Sequence, residues 1–182
     1  MKRALLCLLL IAACSRKVDL PVMSTVPDFT LIERSSREVK NQELAGKIWI
    51  ADFVYTSCGG MCPIMTEKMR KLQDTLPAEI RLVSFSVDPD VDTPAVLTAY
   101  AKKFGADSNR WLFLTGNRES LFKLSKEGFK LAVDNSGGTE VEPITHSSRF
   151  ALVDQQGRIR GYYSMEEPSE LAHLIKDAKS LL

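Results

Sequence analysis

Residues 48–63 read IWIADFVYTSCGGMCP. Ile48 to Tyr55 is apolar almost throughout, the pattern of a strand buried on both faces, and from Pro63 to Leu76 the pattern turns helical. A strand that passes through a short loop into a helix is a βα unit, and this loop carries Cys58 and Cys62 with Gly59 and Gly60 between them. The glycines let the loop take unusual dihedrals and let a ligand approach the backbone. With Pro63 as the first helical residue, Cys62 is expected near the N-cap and Cys58 in the loop just before it. Unpaired backbone N–H groups and the positive helix end favour a thiolate there, so both cysteines are expected to be acidic and nucleophilic.

Outward from this unit, short apolar runs alternate with amphipathic ones. Ile80 to Val87 reads as a second strand, and Thr93-Pro94 supplies an N-cap and a first-turn proline for a helix to about Phe104. Trp111 to Leu114 is a short strand, Asn117 caps a helix to about Gly128, and Phe129 to Val133 returns to strand character. Asp134 to Thr139 reads as an exposed loop. Arg149 to Val153 and Arg158 to Ser164 flank the turn Asp154-Gln155-Gln156-Gly157 and form a hairpin. Pro168 to Leu181 closes the chain with a helix whose Leu171, Leu174, Ile175 and Ala178 share one face. The alternation predicts an α/β fold, a mixed β-sheet flanked by helices, compatible with a thioredoxin-like architecture. No internal repeat or low-complexity tract interrupts it.

The chain has 182 residues, 45% hydrophobic and 26% charged, the balance of one soluble domain. It begins MKRALLCLLLIAAC, with Lys2 and Arg3 before an apolar run from Ala4 to Ala13 and small residues before Cys14. That order is a secretory signal, too short to span a bilayer as a stable helix. Ile11-Ala12-Ala13-Cys14 resembles the bacterial lipobox, whose cysteine is lipidated and becomes the mature N-terminus. The expected organisation is a signal peptide over 1–13, which removes Cys7, a lipidated tether over 14–26 starting at Cys14, and a folded domain over 27–182. This places the protein in the bacterial envelope, held to a membrane by its lipid and facing the periplasm, as a monomer. A net charge of +1 without a basic run beside aromatic residues gives no support to nucleic-acid binding.

The folded domain is long enough to bury a core without disulfide staples. An inert Cys58–Cys62 disulfide would close a ring of five residues, worth only about 2 kcal/mol. Two converging thiols instead suit a redox couple or a soft metal site. Copper fits two sulfurs and an imidazole, and the chain offers two histidines. His146 follows Pro143-Ile144-Thr145 in a loop before the strand at Arg149, where binding groups commonly sit. His173 lies one position off the apolar face of the last helix and reads as a surface residue. Asp88 and Asp92 read as scaffold, Thr93 as a cap, and Met61 and Met65 as packing.

These residues resemble the Sco/SenC family, named for synthesis of cytochrome c oxidase, over nearly all of the expected mature chain. Thr56-Ser57-Cys58-Gly59-Gly60-Met61-Cys62-Pro63 resembles its TxCxxxCP signature and Phe85 to Pro94 its SxDPxxDTP block. Leu114-Thr115-Gly116, Thr145-His146-Ser147 and Leu152 to Gly157 follow in the family's order. The resemblance implies a thioredoxin-like fold and a copper metallochaperone with Cys58, Cys62 and His146 as ligands for Cu(I) or Cu(II). Its implied client is the dinuclear copper centre of cytochrome c oxidase subunit II, or another envelope copper or thiol protein. Some members act as thiol-disulfide reductants, so an oxidoreductase using the redox-active Cys58/Cys62 pair is the alternative. Relatives commonly carry a transmembrane anchor and an Asp before the histidine, whereas here a lipobox and Thr145 take those places.

Overall fold

Trp49–Val54 forms the central strand β4, and every one of its residues is buried. A strand can be apolar on both sides only if both faces of its sheet are covered. The computed structural model describes residues 19–131, 133–134 and 145–182, and the backbone alone at 133–134 and 145–146. Within them the strands are β1 (Ser24–Thr25), β2 (Thr30–Glu33), β3 (Glu38–Lys40), β4, β5 (Arg81–Ser86), β6 (Trp111–Thr115), β7 (Val133–Asp134), β8 (Thr145–His146), β9 (Arg149–Val153) and β10 (Arg158–Ser164). The helices are α1 (Met61–Thr75), α2 (Pro94–Lys103), α3 (Arg118–Lys123) and α4 (Glu170–Ser180).

Eight strands form one sheet in the order β1-β10-β9-β4-β5-β6-β2-β3, and β7 pairs with β8 apart from it. β4, β5 and β6 are parallel neighbours, joined through α1 and α2, while β9 and β10 run antiparallel. This is the expected mixed α/β sheet. Alternation along the strands divides the core. Ile50, Leu82, Trp111, Phe113 and Leu152 meet Met65, Met69, Leu97 and Leu174 of α1, α2 and α4. On the other face Trp49, Phe53 and Phe85 meet Phe29 and Phe129. There Phe53 stacks on Phe85 at 5.1 Å between centroids, with Phe129 edge-on to Phe53 at 5.2 Å.

Outside the cysteine loop and His146, the structure departs from the sequence expectations in four places. The fold begins before Pro27, because β1 pairs with β10 and Val26 is buried. The β2–β3 hairpin was not anticipated; its strands are short and only partly buried, so their periodicity is weak. The helix capped by Asn117 ends in a π-helical turn, Leu124–Gly128, closed by the Phe129 N–H to the Leu124 carbonyl at 2.9 Å. Phe129 and Leu131 are therefore buried without being strand, and the extended pair is only Val133–Asp134. Glycine is needed at 128, where a Cβ would stand 2.7 Å from Pro27 Cδ. Residues 1–18, with the expected signal peptide and Cys14, and 135–144, with most of the expected loop, lie outside the described residues.

Candidate metal and redox site

The chain leaves the C-terminal end of β4 at Val54 and turns at once, with the Cys58 N–H donating to the Tyr55 carbonyl at 3.3 Å. Gly60 is the N-cap of α1, Met61 its first residue and Cys62 its second, so the helix starts two residues before the expected Pro63. Proline is tolerated there because first-turn N–H groups have no partner within the helix. Cys58 and Cys62 are both thiols and both buried. The Cys62 sulfur is hydrogen-bonded to Cys58 and to the Tyr55 backbone.

Burial pushes the Cys62 thiol far above its ordinary range; the Tyr55 backbone opposes this, while Cys58 and the charge of Asp52 add to it. The expectation of an acidic thiol at Cys62 is thus reversed. Desolvation of a fully enclosed sulfur outweighs the partial charge of a helix end. Such a thiol ionises only against a partner that pays its charge back directly, and a bound cation is that kind of partner.

Asp92 holds the cysteine loop. Its buried carboxylate accepts from the Thr56 N–H at 3.2 Å, the Thr56 hydroxyl at 2.5 Å and the Ser86 hydroxyl at 2.6 Å. The scaffold reading of Asp92 therefore has a mechanism: it ties the loop after β4 to the loop after β5. Thr93 caps α2 through the Val96 N–H at 3.4 Å. Asp88 pairs with Arg118 Nη2 at 3.2 Å, which also meets Asp90 at 2.6 Å. Behind the dithiol, the Thr66 hydroxyl donates to the Cys62 carbonyl at 2.8 Å and is paired with the Tyr100 hydroxyl at 2.8 Å. Met65 is packed in the core, and Met61 packs against it.

His146 lies in β8, paired in register with Val133, rather than in a loop. β9 is antiparallel to β4, with Ala51 opposite Ala151 and Trp49 opposite Val153. Residues preceding Arg149 thus leave β9 at the end of the sheet where β4 delivers the cysteine loop. Among the described residues no group of three His, Cys, Asp or Glu side chains gathers that could hold a metal ion. His173 is exposed on α4, with Nδ1 3.0 Å from Glu170 Oε1. Sequence reasoning passed over Asp52, Thr66 and Tyr100. For Asp52 the signal was visible: a lone carboxylate inside the apolar run 48–55.

Comparison with known proteins gives a consistent picture. The SCO1/SenC family model matches residues 20–182. A protein of Stutzerimonas stutzeri named for copper binding is 34% identical over 150 residues, covering 79% of this chain and 71% of its own. The crystal structure of a SCO1/SenC family lipoprotein from Bacillus anthracis has a TM-score of 0.79 at 35% identity, covering 87% of this chain and 95% of that one. BsSco, described as a member of the Sco family of cytochrome c oxidase assembly proteins with a disulfide switch, has a TM-score of 0.78 at 33% identity, covering 90% and 95%. The fold is thioredoxin-like, as these neighbours are.

Proposed function

The chain belongs to the SCO1/SenC family, and from that premise we propose that it takes up copper on Cys58, Cys62 and His146 and passes it on in cytochrome c oxidase assembly. The observation that carries this reading is the pair of adjacent, buried thiols at the head of α1. Two soft sulfurs suit copper, and a borderline imidazole is acceptable to both of its oxidation states. The register of β9 supports His146 as the third donor by bringing that part of the backbone to the same end of the sheet. A three-ligand site leaves room for an incoming client ligand, so copper can move by exchange without passing through solvent.

The client in this reading is the dinuclear copper centre of subunit II, or another envelope copper or thiol protein. The protein acts there as a monomer at a membrane surface, anchored by a lipidated Cys14 that follows a cleaved signal. The order of residues 1–14 and the lipoprotein of Bacillus anthracis support that anchor. A second reading, thiol-disulfide exchange with an envelope partner, is favoured by the contact between the two thiols and by the disulfide switch described for BsSco.

Copper titration of the reduced chain separates the two. Wild type and His173→Ala are expected to bind one ion each, and Cys58→Ala and Cys62→Ala to lose tight binding. His146→Ala should weaken it at least about tenfold while sparing dithiol exchange. Equal copper affinity in wild type and His146→Ala would refute the three-ligand site.

A further inference from the structure

β10 finishes at the dithiol end of the sheet, with Ser164 opposite Arg149, so α4 runs back toward the end where Trp49 begins β4. Its last turn reaches the place where the chain enters the fold: Ser180 and Leu181 share a hollow with Asp19, Gln155 and Arg158. Three open apolar side chains lie around that place. Met23 sits beside the start of β10, its N–H bonded to the Ile159 carbonyl at 2.8 Å; Val22 precedes it, and Leu182 follows α4. At 55%, 54% and 54% exposure they are the most open large apolar side chains among the described residues, so something other than the core is expected to meet them.

The free charges beside them are positive. Lys176 and Lys179 are neighbours on the exposed face of α4, and Lys47 follows Gly46, whose N–H meets the Gln155 carbonyl of the β9–β10 turn at 2.9 Å. The carboxylates of this region are taken up: Asp19 by Arg160 at 3.2 Å, Asp154 by Arg158 and Arg160, and Asp177 by the Tyr163 hydroxyl at 2.8 Å. Glu79, exposed before β5, comes with Arg81 and leaves the balance unchanged. A helix dipole welcomes Lys179 in the last turn, but it asks for neither Lys47 nor open apolar side chains next to it. The dithiol end is different. Ile64 and Val91 are exposed there too, but the open charges near that end are Asp90, Glu166 and Glu167.

We propose that this end of the domain is a docking face for an anionic bilayer: Val22, Met23 and Leu182 enter the interfacial layer, while Lys47, Lys176 and Lys179 meet acidic headgroups such as phosphatidylglycerol. The proposal goes beyond the lipid anchor and rests on the reading of Cys14 as its site. From Cys14 to Asp19, where Arg160 grips the chain, there are five residues, at most about 18 Å of extended backbone. A tether that short holds the face at an effective concentration in the millimolar range, so even a weak contact is populated. It also makes the bilayer the surface that is always in reach. Each lysine close to an anionic membrane favours the docked state about fivefold, and apolar side chains among the lysines add to that. Docking in this way holds the dithiol at the far end of the sheet, open to the aqueous side.

The test reads bilayer contact by tryptophan quenching. The full chain is expressed in a bacterial host, purified in its processed form, weighed by mass spectrometry to show whether Cys14 carries lipid, and placed in vesicles of brominated phosphatidylcholine with or without phosphatidylglycerol. Trp49 and Trp111 are buried, so Met23→Trp and Leu182→Trp report on the face and Val91→Trp on the opposite end. Quenching above wild type is expected in the first two and not in Val91→Trp, and it should be stronger with phosphatidylglycerol. Adding Lys176→Gln and Lys179→Gln should lower the docked-to-free ratio on anionic vesicles about tenfold or more. No quenching above wild type at positions 23 and 182, equal quenching at 91, or indifference to both phosphatidylglycerol and the lysines overturns the proposal. If Cys14 proves unmodified, the anchor reading falls, and the same variants added to the vesicles still judge the face: quenching confined to 23 and 182 upholds it, and none overturns it.

Discussion

Asp52 and Asp92 are both fully buried, yet their surroundings treat them oppositely. Asp92 accepts from Thr56 and Ser86 and keeps its oxygens occupied. Asp52 is helped by Ser84 and by its own backbone, but burial outweighs both and raises its carboxyl to about 7. A carboxyl raised in the folded state contributes its stability below the unfolded value of about 4 and loses it as pH climbs through the folded one. For Asp52 the loss falls between about pH 4 and about pH 7 and amounts to about 4 kcal/mol at most. Asp92 shares that direction. At Asp154 burial acts against the charge, but Arg160 and Arg158 outweigh it and hold the carboxyl low. Only the difference between wild type and Asp52→Asn isolates the one group. Denaturant unfolding at about pH 5 and about pH 8 should show the variant gaining on wild type by a few kcal/mol at the higher pH. Parallel profiles would mean that Asp52 is not buried as a charge.

At the scale of elements, the site depends on two loops at the C-terminal ends of neighbouring parallel strands, and Asp92 joins them. Removing its carboxylate strands three donors, the Thr56 N–H and the Thr56 and Ser86 hydroxyls. Each costs about 1–3 kcal/mol when left buried and unmet. Asp92→Ala should therefore lower unfolding stability by about 3 kcal/mol or more, and hydrogen exchange should rise first at the Thr56 amide. A loss confined to α2, with Thr56 still protected, would show that the residue serves only the start of that helix. What could be read in the sequence follows the same physics. β4, β5, β9, β10 and the capped helices carry strong periodicity, turn or cap signals and appear within a residue or two of expectation. The β2–β3 hairpin and the π turn carry none, because short partly exposed strands have little apolar pattern and a π turn differs from a helix end only in which carbonyl Phe129 meets. The cysteine pair was legible as chemistry, but the Cys62 ionisation was not. A helix start can be read from Pro63, whereas the enclosure of the sulfur depends on strands and helices distant in sequence.

Across the whole molecule, the dithiol and the N-terminal segment occupy opposite ends of the sheet. β4 runs from Trp49 up to the cysteine loop, and the β9–β10 turn lies beside the start of β4, since Val153 pairs with Trp49. β1 is held at that lower end, with Thr25 opposite Arg158 and Ser24 opposite Ile159. Arg160 secures the entering chain there. Its Nε donates to the carbonyls of Leu20 at 3.0 Å and Pro21 at 3.2 Å, while Nη1 meets Asp154 at 2.9 Å and Nη2 meets Asp19 at 3.2 Å. The length of β4 puts about 20 Å between this clamp and the dithiol. An anchor at Cys14 would have only a few residues of slack before the clamp, so the dithiol would point away from the membrane toward a client approaching from the aqueous side. Arg160→Met tests whether the two ends are independent. Asp154 keeps Arg158 at 2.8 Å, so the loss should be about 2–4 kcal/mol, short of global unfolding. Exchange should rise at the Met23 amide, bonded to the Ile159 carbonyl at 2.8 Å, and at the Val26 amide, bonded to Gly157 at 2.9 Å. Silver(I) and copper(I) affinity should stay within about twofold of wild type, because the clamp touches no residue of the cysteine loop. A parallel fall in metal affinity would instead mean that the entering segment and the dithiol share one cooperative unit, with the N-terminal end able to govern metal release.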